Sequence, residues 1–258
     1  MRYLIKFSYD GTNFFGYQKQ PGKRTIEGEF EKALYNINDH KETKIFSSGR
    51  TDAGVHALLQ TAHFDLSINI TLYKLKCALN SLLPEDIHVF STEIVDNDFH
   101  ARYNVKEKTY IYKINIGEYS PHDRNYIYQF NKQLDVEKMK EGIKYFLGEH
   151  DFKPFVSEEV TKNNYVRNMT KVNIVEEQNI LCISFTASGF MKYQVRNMVG
   201  TLIKIGQNKL EPNIILEIFE DFSKNKFVTT AKPEGLYLES VVYDKGIKNI
   251  WQNSTHLV

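Results

Sequence analysis

Two successive runs of strand and helix patterns, in the same order, constrain the fold of this chain most. Near the N-terminus Tyr3, Ile5 and Phe7 occupy alternate positions, which is typical of a strand. From Thr25, a residue type that caps helices, apolar residues recur at helical spacing. The first half predicts strands over 2–8, 44–48, 61–68 and 87–95, a helix after Thr25 and a second helix ended by Pro84. This order is βαββαβ.

The second half repeats the order. It predicts strands over 109–116, 166–176, 180–187 and 236–243, a helix capped by Asp135, a long helix over 190–205 and a shorter one over 214–222. Two βαββαβ runs are typical of two ferredoxin-like units. We therefore predict an α+β fold with antiparallel sheets and a functional cleft between the units. The expected domains are 1–103 and 104–258.

The composition is typical of a soluble globular protein, with 25% charged and 41% hydrophobic residues in a chain of 258. No segment approaches the ~18 consecutive apolar residues that a membrane-spanning helix needs. The first residues resemble a strand and lack a signal-peptide cleavage pattern. Cys77 and Cys182 lie far apart and have no metal-ligand spacing, which favours reduced thiols. We expect a cytoplasmic protein with no membrane partner.

The charges are balanced in number but unevenly distributed. The 33 basic residues against 32 acidic ones give a net charge of +1, which excludes a uniformly basic surface. Residues 188–210 and 162–171 nevertheless contain basic residues and no acid, and basic residues predominate over 102–113. Two interpretations remain open. These stretches form one positive face for a phosphate backbone, or they are solvated faces of separate elements.

Several familiar catalytic motifs are incomplete in this sequence. Gly49 and Gly54 have the spacing of a phosphate-binding loop, but Val55 and His56 stand where Lys and Ser or Thr are required. The eight histidines are isolated from one another, and neither a His-Glu-x-x-His nor a Gly-x-Ser-x-Gly motif occurs. The sequence therefore disfavours nucleotide-binding, metal-dependent and serine-hydrolase functions, and we expect no metal site.

One loop, Gly49-Arg50-Thr51-Asp52-Ala53-Gly54, has the character of a functional site. Its flanking glycines permit backbone conformations that other residues avoid, and they allow another molecule to approach closely. The loop presents the carboxylate of Asp52 beside the guanidinium of Arg50. However, an Asp in a glycine-flanked turn also commonly hydrogen-bonds its own backbone. From the residues alone, both a catalytic and a structural role remain open.

This loop, together with the Val55-His56-Ala57 that follows it, resembles the signature of the tRNA pseudouridine synthase A family. The resemblance extends over essentially the whole chain. In the family's order, it includes residues 9–20, 99–102, 108–112, 148–152, 166–167, 187–190, 195–200 and 232–238. Two places depart from the family's pattern. Tyr17 stands where Trp is usual, and residues 191–194 replace the usual Leu-Tyr-His-Met.

The resemblance implies an enzyme that isomerises uridine to pseudouridine in the anticodon stem-loop of tRNA, without a cofactor and as a homodimer. Asp52 would be the catalytic carboxylate, and Arg196 the cation that keeps it ionised. Arg50 would occupy the space that the extruded uridine leaves. Tyr110 would stack on the target base, and Leu236 would form an apolar wall against it.

Three alternatives remain open at this point. A diverged member of the same family could modify another RNA, such as rRNA, given the departures at Tyr17 and 191–194. A non-catalytic RNA-binding module would suit paired ferredoxin-like units, but it would have no use for Asp52. A glycosidase would need a second positioned carboxylate, for which Asp10 is the nearest candidate.

Overall fold

The structure is a computed structural model that describes residues 1–157 and 164–244. Its first half contains strands β1 (Arg2–Tyr9), β2 (Phe46–Ser47), β3 (His56–Asp65) and β4 (Ile87–Ile94), with helices α1 (Ile26–Ile37) and α2 (Leu72–Leu82). Its second half contains strands β5 (Val105–Asn115), β6 (Tyr128–Gln129), β7 (Gly148–Asp151), β8 (Val166–Glu177), β9 (Ile180–Ala187) and β10 (Leu236–Tyr243), with helices α3 (Val136–Ile143), α4 (Gln194–Gly206) and α5 (Ile214–Glu220).

The ten strands within these ranges lie in one sheet. Their order is β4-β1-β3-β10-β5-β9-β8-β7, with β2 on β3 and β6 on β5. All pairs are antiparallel except β10 with β3 and β6 with β5. The predicted α+β class is therefore confirmed.

The strand order repeats between the two halves. In the first half β1 lies between β4 and β3, and β2 pairs with β3. In the second half β5 lies between β10 and β9, and β8 lies outside β9. Both halves thus place their last, first, third and second main strands side by side. A division into two ferredoxin-like units, with a boundary just before β5, remains our interpretation of this topology. Residues 245–258 of the expected second domain lie outside the described ranges.

Parallel pairing of β10 with β3 joins the two halves. Tyr237 pairs with His56, and Leu238 pairs with Ala57. Because the short strand β2 pairs only with the far end of β3, the beginning of β3 offers free backbone groups to a neighbouring strand. The expected separate sheets are therefore one continuous sheet. The loop that precedes β3 consequently lies beside the second half.

Several predicted boundaries were wrong. β3 begins at His56 rather than at residue 61, so residues 48–55 form a loop directly before a strand. α4 begins at Gln194 rather than at Phe190, because Tyr193 has a left-handed φ of 64° that a helix cannot contain. β2 is shorter than predicted, and the edge strand β7 was missed.

Two helices begin at their predicted caps. The Thr25 hydroxyl accepts a hydrogen bond from the Gly28 N–H at 3.3 Å, and the Asp135 carboxylate accepts one from the Lys138 N–H at 3.1 Å. These acceptors satisfy N–H groups that the first turn of a helix leaves without a partner. No helix in the described part of the chain is long and apolar enough to cross a bilayer.

Buried aromatic rings pack helical segments onto the sheet. Phe30 of α1 meets Phe7 of β1 with ring centroids 4.6 Å apart. In the second half, Phe146 after α3 meets Phe185 of β9 at 6.1 Å. Burying one such side chain contributes about 1.5–3 kcal/mol. These contacts stabilise the sheet that supports the loop before β3.

Candidate active site

The loop that carries Asp52 is held against the segment that follows β1. The Tyr17 N–H donates to the Thr51 carbonyl oxygen at 3.1 Å. Gly16 has a φ of +87°, and a Cβ at this position would lie 2.7 Å from the same carbonyl oxygen. Glycine is therefore required for this close approach of two backbone segments. The contact fixes the residue immediately before Asp52.

An ion pair links Asp52 to the second half of the chain. Nη1 of Arg196, in the first turn of α4, lies 3.4 Å from Oδ2 of Asp52, and the two side chains are 13% and 17% exposed. The Arg196 Nε–H donates to the Ala231 carbonyl oxygen at 2.7 Å. This second bond orients the guanidinium group. The two residues that the family resemblance pairs are thus in direct contact.

The carboxyl group of Asp52 is subject to opposing electrostatic effects. Burial raises its pKa above the ordinary value, because the charged form loses solvation. The charges of Arg196 and Lys192 and the backbone N–H of Tyr193 oppose this effect by favouring the ionised form. The net direction is upward. The Asp52 carboxylate is therefore more basic than an exposed one, which suits a group that attacks or removes a proton.

Tyr110 and Tyr112 are two positions apart on β5 and lie on the same face, but their hydroxyl groups differ in environment. Tyr110 lines the same pocket as Asp52 and packs edge-on against Phe190 at 5.0 Å. Tyr112 is fully buried and donates its hydroxyl hydrogen bond to the Lys232 carbonyl oxygen at 2.7 Å. Burial raises the pKa of the Tyr110 hydroxyl, which stays protonated. Of these two tyrosines, Tyr110 is the one beside the pocket.

The remaining candidates, Arg50 and Leu236, also line the pocket that contains Asp52. Arg50 is exposed in the loop and forms no hydrogen bond or ion pair with the residues that the structure describes. Its guanidinium group is therefore available to a ligand. Leu236 is the first residue of β10, is 4% exposed and contributes apolar surface to the pocket.

The five candidate residues line one pocket with a volume of about 1360 Å³. Among its described lining residues, seven side chains are basic and two are carboxylates. The basic ones are Lys19, Arg50, Arg102, Lys108, Arg167, Lys192 and Arg196, and the acidic ones are Glu27 and Asp52. Each basic stretch of the sequence therefore contributes to this pocket, although Lys106, Lys113, Lys171, Lys204 and Lys209 do not line it. Lys162 lies outside the described residues.

Lys108 and Phe190 also line the pocket, and sequence analysis did not select either as a site residue. Both lie in segments that carry the family resemblance, and Lys108 precedes Tyr110 by two positions on a strand. That spacing places the two side chains on one face, which is the signal that could have identified Lys108.

The carboxylate proposed for a glycosidase lies elsewhere. Asp10 does not belong to the pocket lining, and it accepts hydrogen bonds from the Thr12 and Tyr126 side chains and lies 3.2 Å from His56 Nδ1. These contacts give Asp10 a structural role in its own loop. In residues 1–157 and 164–244, no three His, Cys, Asp or Glu side chains are grouped as metal ligands.

A sequence profile described as tRNA pseudouridine synthase matches residues 5–104 and 143–244. The matched segments include the Asp52 loop, Arg196 and Leu236. The chain belongs to the tRNA pseudouridine synthase family. The predicted resemblance is confirmed, and the protein is a pseudouridine synthase, an isomerase. β5, with Tyr110, lies between the two matched segments.

Individual relatives support this assignment over nearly the full length. The chain is 44% identical to tRNA pseudouridine synthase A 2 of Clostridium perfringens, over 93% of this chain and 98% of that protein. It is 41% identical to tRNA pseudouridine synthase A of Streptococcus mutans, over 95% of this chain and 99% of that protein. A solved archaeal box H/ACA sRNP Nop10-Cbf5 complex aligns with 92% of this chain and 59% of that chain, at 10% identity and a TM-score of 0.34.

Proposed function

We propose that this pseudouridine synthase isomerises uridine in the anticodon stem-loop of tRNA, with Asp52 as its catalytic carboxylate and without a cofactor. The observation that supports this most is the buried Asp52–Arg196 pair inside a predominantly basic pocket. Basic side chains attract the phosphate backbone of RNA. A carboxylate among these basic side chains repels the phosphate backbone. We therefore assign Asp52 a role in the chemical step and not in the attraction of RNA.

The reaction rearranges bonds within one nucleotide. The N1–C1′ bond breaks, the base rotates, and C5 bonds to C1′ while C5 loses its proton and N1 gains one. Asp52 serves this reaction as a nucleophile at C1′ or as a base toward a ribose proton, and both routes need its ionised form. Arg196 supports that form. No atom is gained or lost overall, so the proposed reaction needs no cofactor, and chelation by EDTA should leave the activity unchanged.

We assign roles in substrate binding to three other pocket residues from their positions in the structure. Tyr110 stacks on the target base, and Leu236 provides an apolar contact on the β10 side. Arg50, whose planar guanidinium group is exposed, occupies the space that the flipped uridine leaves in the RNA stack. Flipping a base costs a few kcal/mol, and such contacts offset part of that cost.

We further propose that the enzyme acts in the cytoplasm as a homodimer, as the family resemblance implies. Sedimentation equilibrium tests the dimer directly. An alternative target for the same chemistry is rRNA, because residues 191–194, which depart from the family's pattern, line the pocket.

Modification of defined transcripts tests the proposed target. The purified enzyme is incubated with unmodified tRNA and with rRNA fragments, and pseudouridine is mapped at nucleotide resolution. We expect pseudouridine in the anticodon arm of tRNA. Modification of rRNA fragments alone would contradict the tRNA assignment and leave the isomerase chemistry intact.

A further inference from the structure

Lys108 is a buried lysine that reaches from β5 to the beginning of the Asp52 loop. It is 7% exposed and lines the pocket. Its Nζ donates a hydrogen bond to the Ser48 carbonyl oxygen. Gly49 packs against the ammonium group, since a Cβ there would lie 2.9 Å from Nζ. Lys108 thus places a positive charge four residues before Asp52.

This charge has no partner of opposite sign in the described part of the chain. Lys6, which is buried to the same degree, has its Nζ 2.9 Å from Glu93, whereas no described carboxylate lies within 4.0 Å of the Lys108 Nζ. Burial lowers the pKa of Lys108 to about 8, and the nearby charge of Arg102 adds to this effect. A buried ammonium without a counterion is unfavourable, and such groups are enriched at functional sites.

The pocket indicates the chemistry of the missing partner. An ammonium has three N–H donors, and the Ser48 carbonyl oxygen accepts only one of these. The two lining carboxylates are engaged elsewhere, Asp52 with Arg196 and Glu27 with the Lys19 N–H at 2.6 Å. The missing partner is therefore an anion supplied by the substrate. In RNA the available anion is a phosphodiester.

We propose that Lys108 binds a backbone phosphate of the RNA next to the nucleotide on which Asp52 acts. This rests on the proposed function, since it takes RNA as the substrate. The hydrogen bond to Ser48 holds the Lys108 ammonium group at the beginning of the Asp52 loop. A phosphate bound there has its adjoining nucleotide directed toward Asp52 and Tyr110. Lys108 thereby contributes to the position of the substrate and takes no part in bond breaking.

Removal of the charge tests the proposal. Lys108→Met is compared with Lys108→Arg and with Lys106→Met, a control for an exposed lysine of the same strand. All are made in the Asp52→Asn protein, so that tRNA binds without turnover. We expect Lys108→Met to weaken tRNA binding and to lower the slope of log affinity against log salt by about 0.7–0.9. Lys108→Arg and Lys106→Met should keep the slope of the parent.

A second measurement changes the RNA instead of the protein, so it stays informative if Lys108→Met does not fold. Each stem-loop RNA carries one neutral methylphosphonate in place of a phosphodiester, either at the linkage before the target uridine or at the linkage after it. The ribose that precedes this linkage carries a 2′-O-methyl group. A control RNA has the same 2′-O-methyl group and an ordinary phosphodiester. One neutral linkage should weaken binding to the Asp52→Asn protein. If Lys108→Met folds, that linkage should have no effect on it. Unchanged binding at both linkages, or a folded Lys108→Met protein with the slope of the parent, would overturn the proposal.

The same preparations separate this proposal from the proposed function. If the wild-type enzyme forms no pseudouridine in tRNA, the proposed function fails. If the wild-type enzyme is active and Lys108→Met binds RNA like the parent, only the phosphate contact is wrong. A purely structural role would lower the melting temperature of Lys108→Met and leave its salt slope unchanged.

Discussion

Arg196 Nη1 lies 3.4 Å from Asp52 Oδ2, although the two residues are 144 positions apart in the chain. The contact joins the first turn of α4 in the second half to the loop before β3 in the first half. Because both side chains are largely buried, the attraction between them is screened less than that of a surface pair. The ion pair therefore couples assembly of the two halves to the ionisation of Asp52.

The pH dependence of the reaction should report this coupling. Arg196 favours the ionised form of Asp52, so Arg196→Met should raise the pKa of Asp52 further. We expect the acidic limb of the single-turnover pH–rate profile to move to higher pH, with a rate loss of roughly tenfold or more at neutral pH. Arg124→Met, which changes an exposed arginine away from the pocket, should leave the limb in place. An unshifted limb in a folded Arg196→Met protein would contradict the assigned pairing.

Asp52→Asn should stabilise the protein at neutral pH. The pKa of Asp52 is raised in the folded state, so the folded protein binds this proton more tightly than the unfolded chain does. The ionised Asp52 carboxylate therefore lowers the free energy of unfolding at pH values above its folded pKa. This destabilisation disappears as the pH falls below the pKa that Asp52 has in the unfolded chain. We expect the melting temperature of Asp52→Asn to exceed that of wild type at neutral pH and to converge with it in acid.

Asp65→Asn provides a contrast of opposite sign. The Arg2 guanidinium lowers the pKa of Asp65, so this carboxylate adds stability above its unfolded pKa and loses that contribution as the pH falls through its folded pKa. Asp65→Asn should therefore melt slightly below wild type at neutral pH. The same sign for both substitutions would show that the burial of Asp52 does not govern its pKa.

Tyr110→Phe and Tyr112→Phe should separate turnover from stability. The Tyr110 side chain lines the pocket, so loss of its hydroxyl should remove most turnover while RNA affinity and melting temperature stay near wild type. The Tyr112 hydroxyl bonds the Lys232 carbonyl oxygen, so its loss should cost about 1 kcal/mol of stability with little change in rate. Single-turnover rates and melting curves measure both effects. An inactive, well-folded Tyr112→Phe with an active Tyr110→Phe would reverse the assignment.

Gly16→Ala should impair catalysis through the backbone of the Asp52 loop. Its Cβ would lie 2.7 Å from the Thr51 carbonyl oxygen, so the loop must move. Gly22→Ala is a matched control, because Gly22 also has a positive φ, of +67°, but a Cβ there meets nothing within 4 Å. Each substitution carries a strain of about 1–2 kcal/mol. Only Gly16→Ala should lower the single-turnover rate strongly, and equal rates for the two variants would contradict this role of Gly16.

The sequence predicted those parts of the molecule that follow from local pattern. Alternation identified β1, and capping residues located the start of α1 at Thr25 and of α3 at Asp135. The glycine-flanked loop and the family resemblance together identified Asp52, and the structure brings all five candidate residues to one pocket. Their individual roles remain predictions.

The missed features depend on tertiary contacts that local pattern does not contain. The pairing of β10 with β3 depends on how much of the edge of β3 the short strand β2 leaves open. The late start of α4 depends on the left-handed backbone of Tyr193, which lies beside Asp52. Similarly, residue order does not reveal that, among the described residues, no carboxylate lies within 4.0 Å of the Lys108 Nζ, because this follows from the packing of β5 against the Asp52 loop.

Tritium release from tRNA that contains 5-³H-uridine tests the central claim most directly, since C5 loses its hydrogen only when C5 bonds to C1′. The assay compares wild type, Asp52→Asn and Asp10→Asn, the last of which removes a carboxylate outside the pocket. We predict release without chain cleavage by wild type and by Asp10→Asn, and none by Asp52→Asn, which should still bind tRNA. Release by a folded Asp52→Asn protein within tenfold of the wild-type rate would contradict the assignment of Asp52 as the catalytic carboxylate.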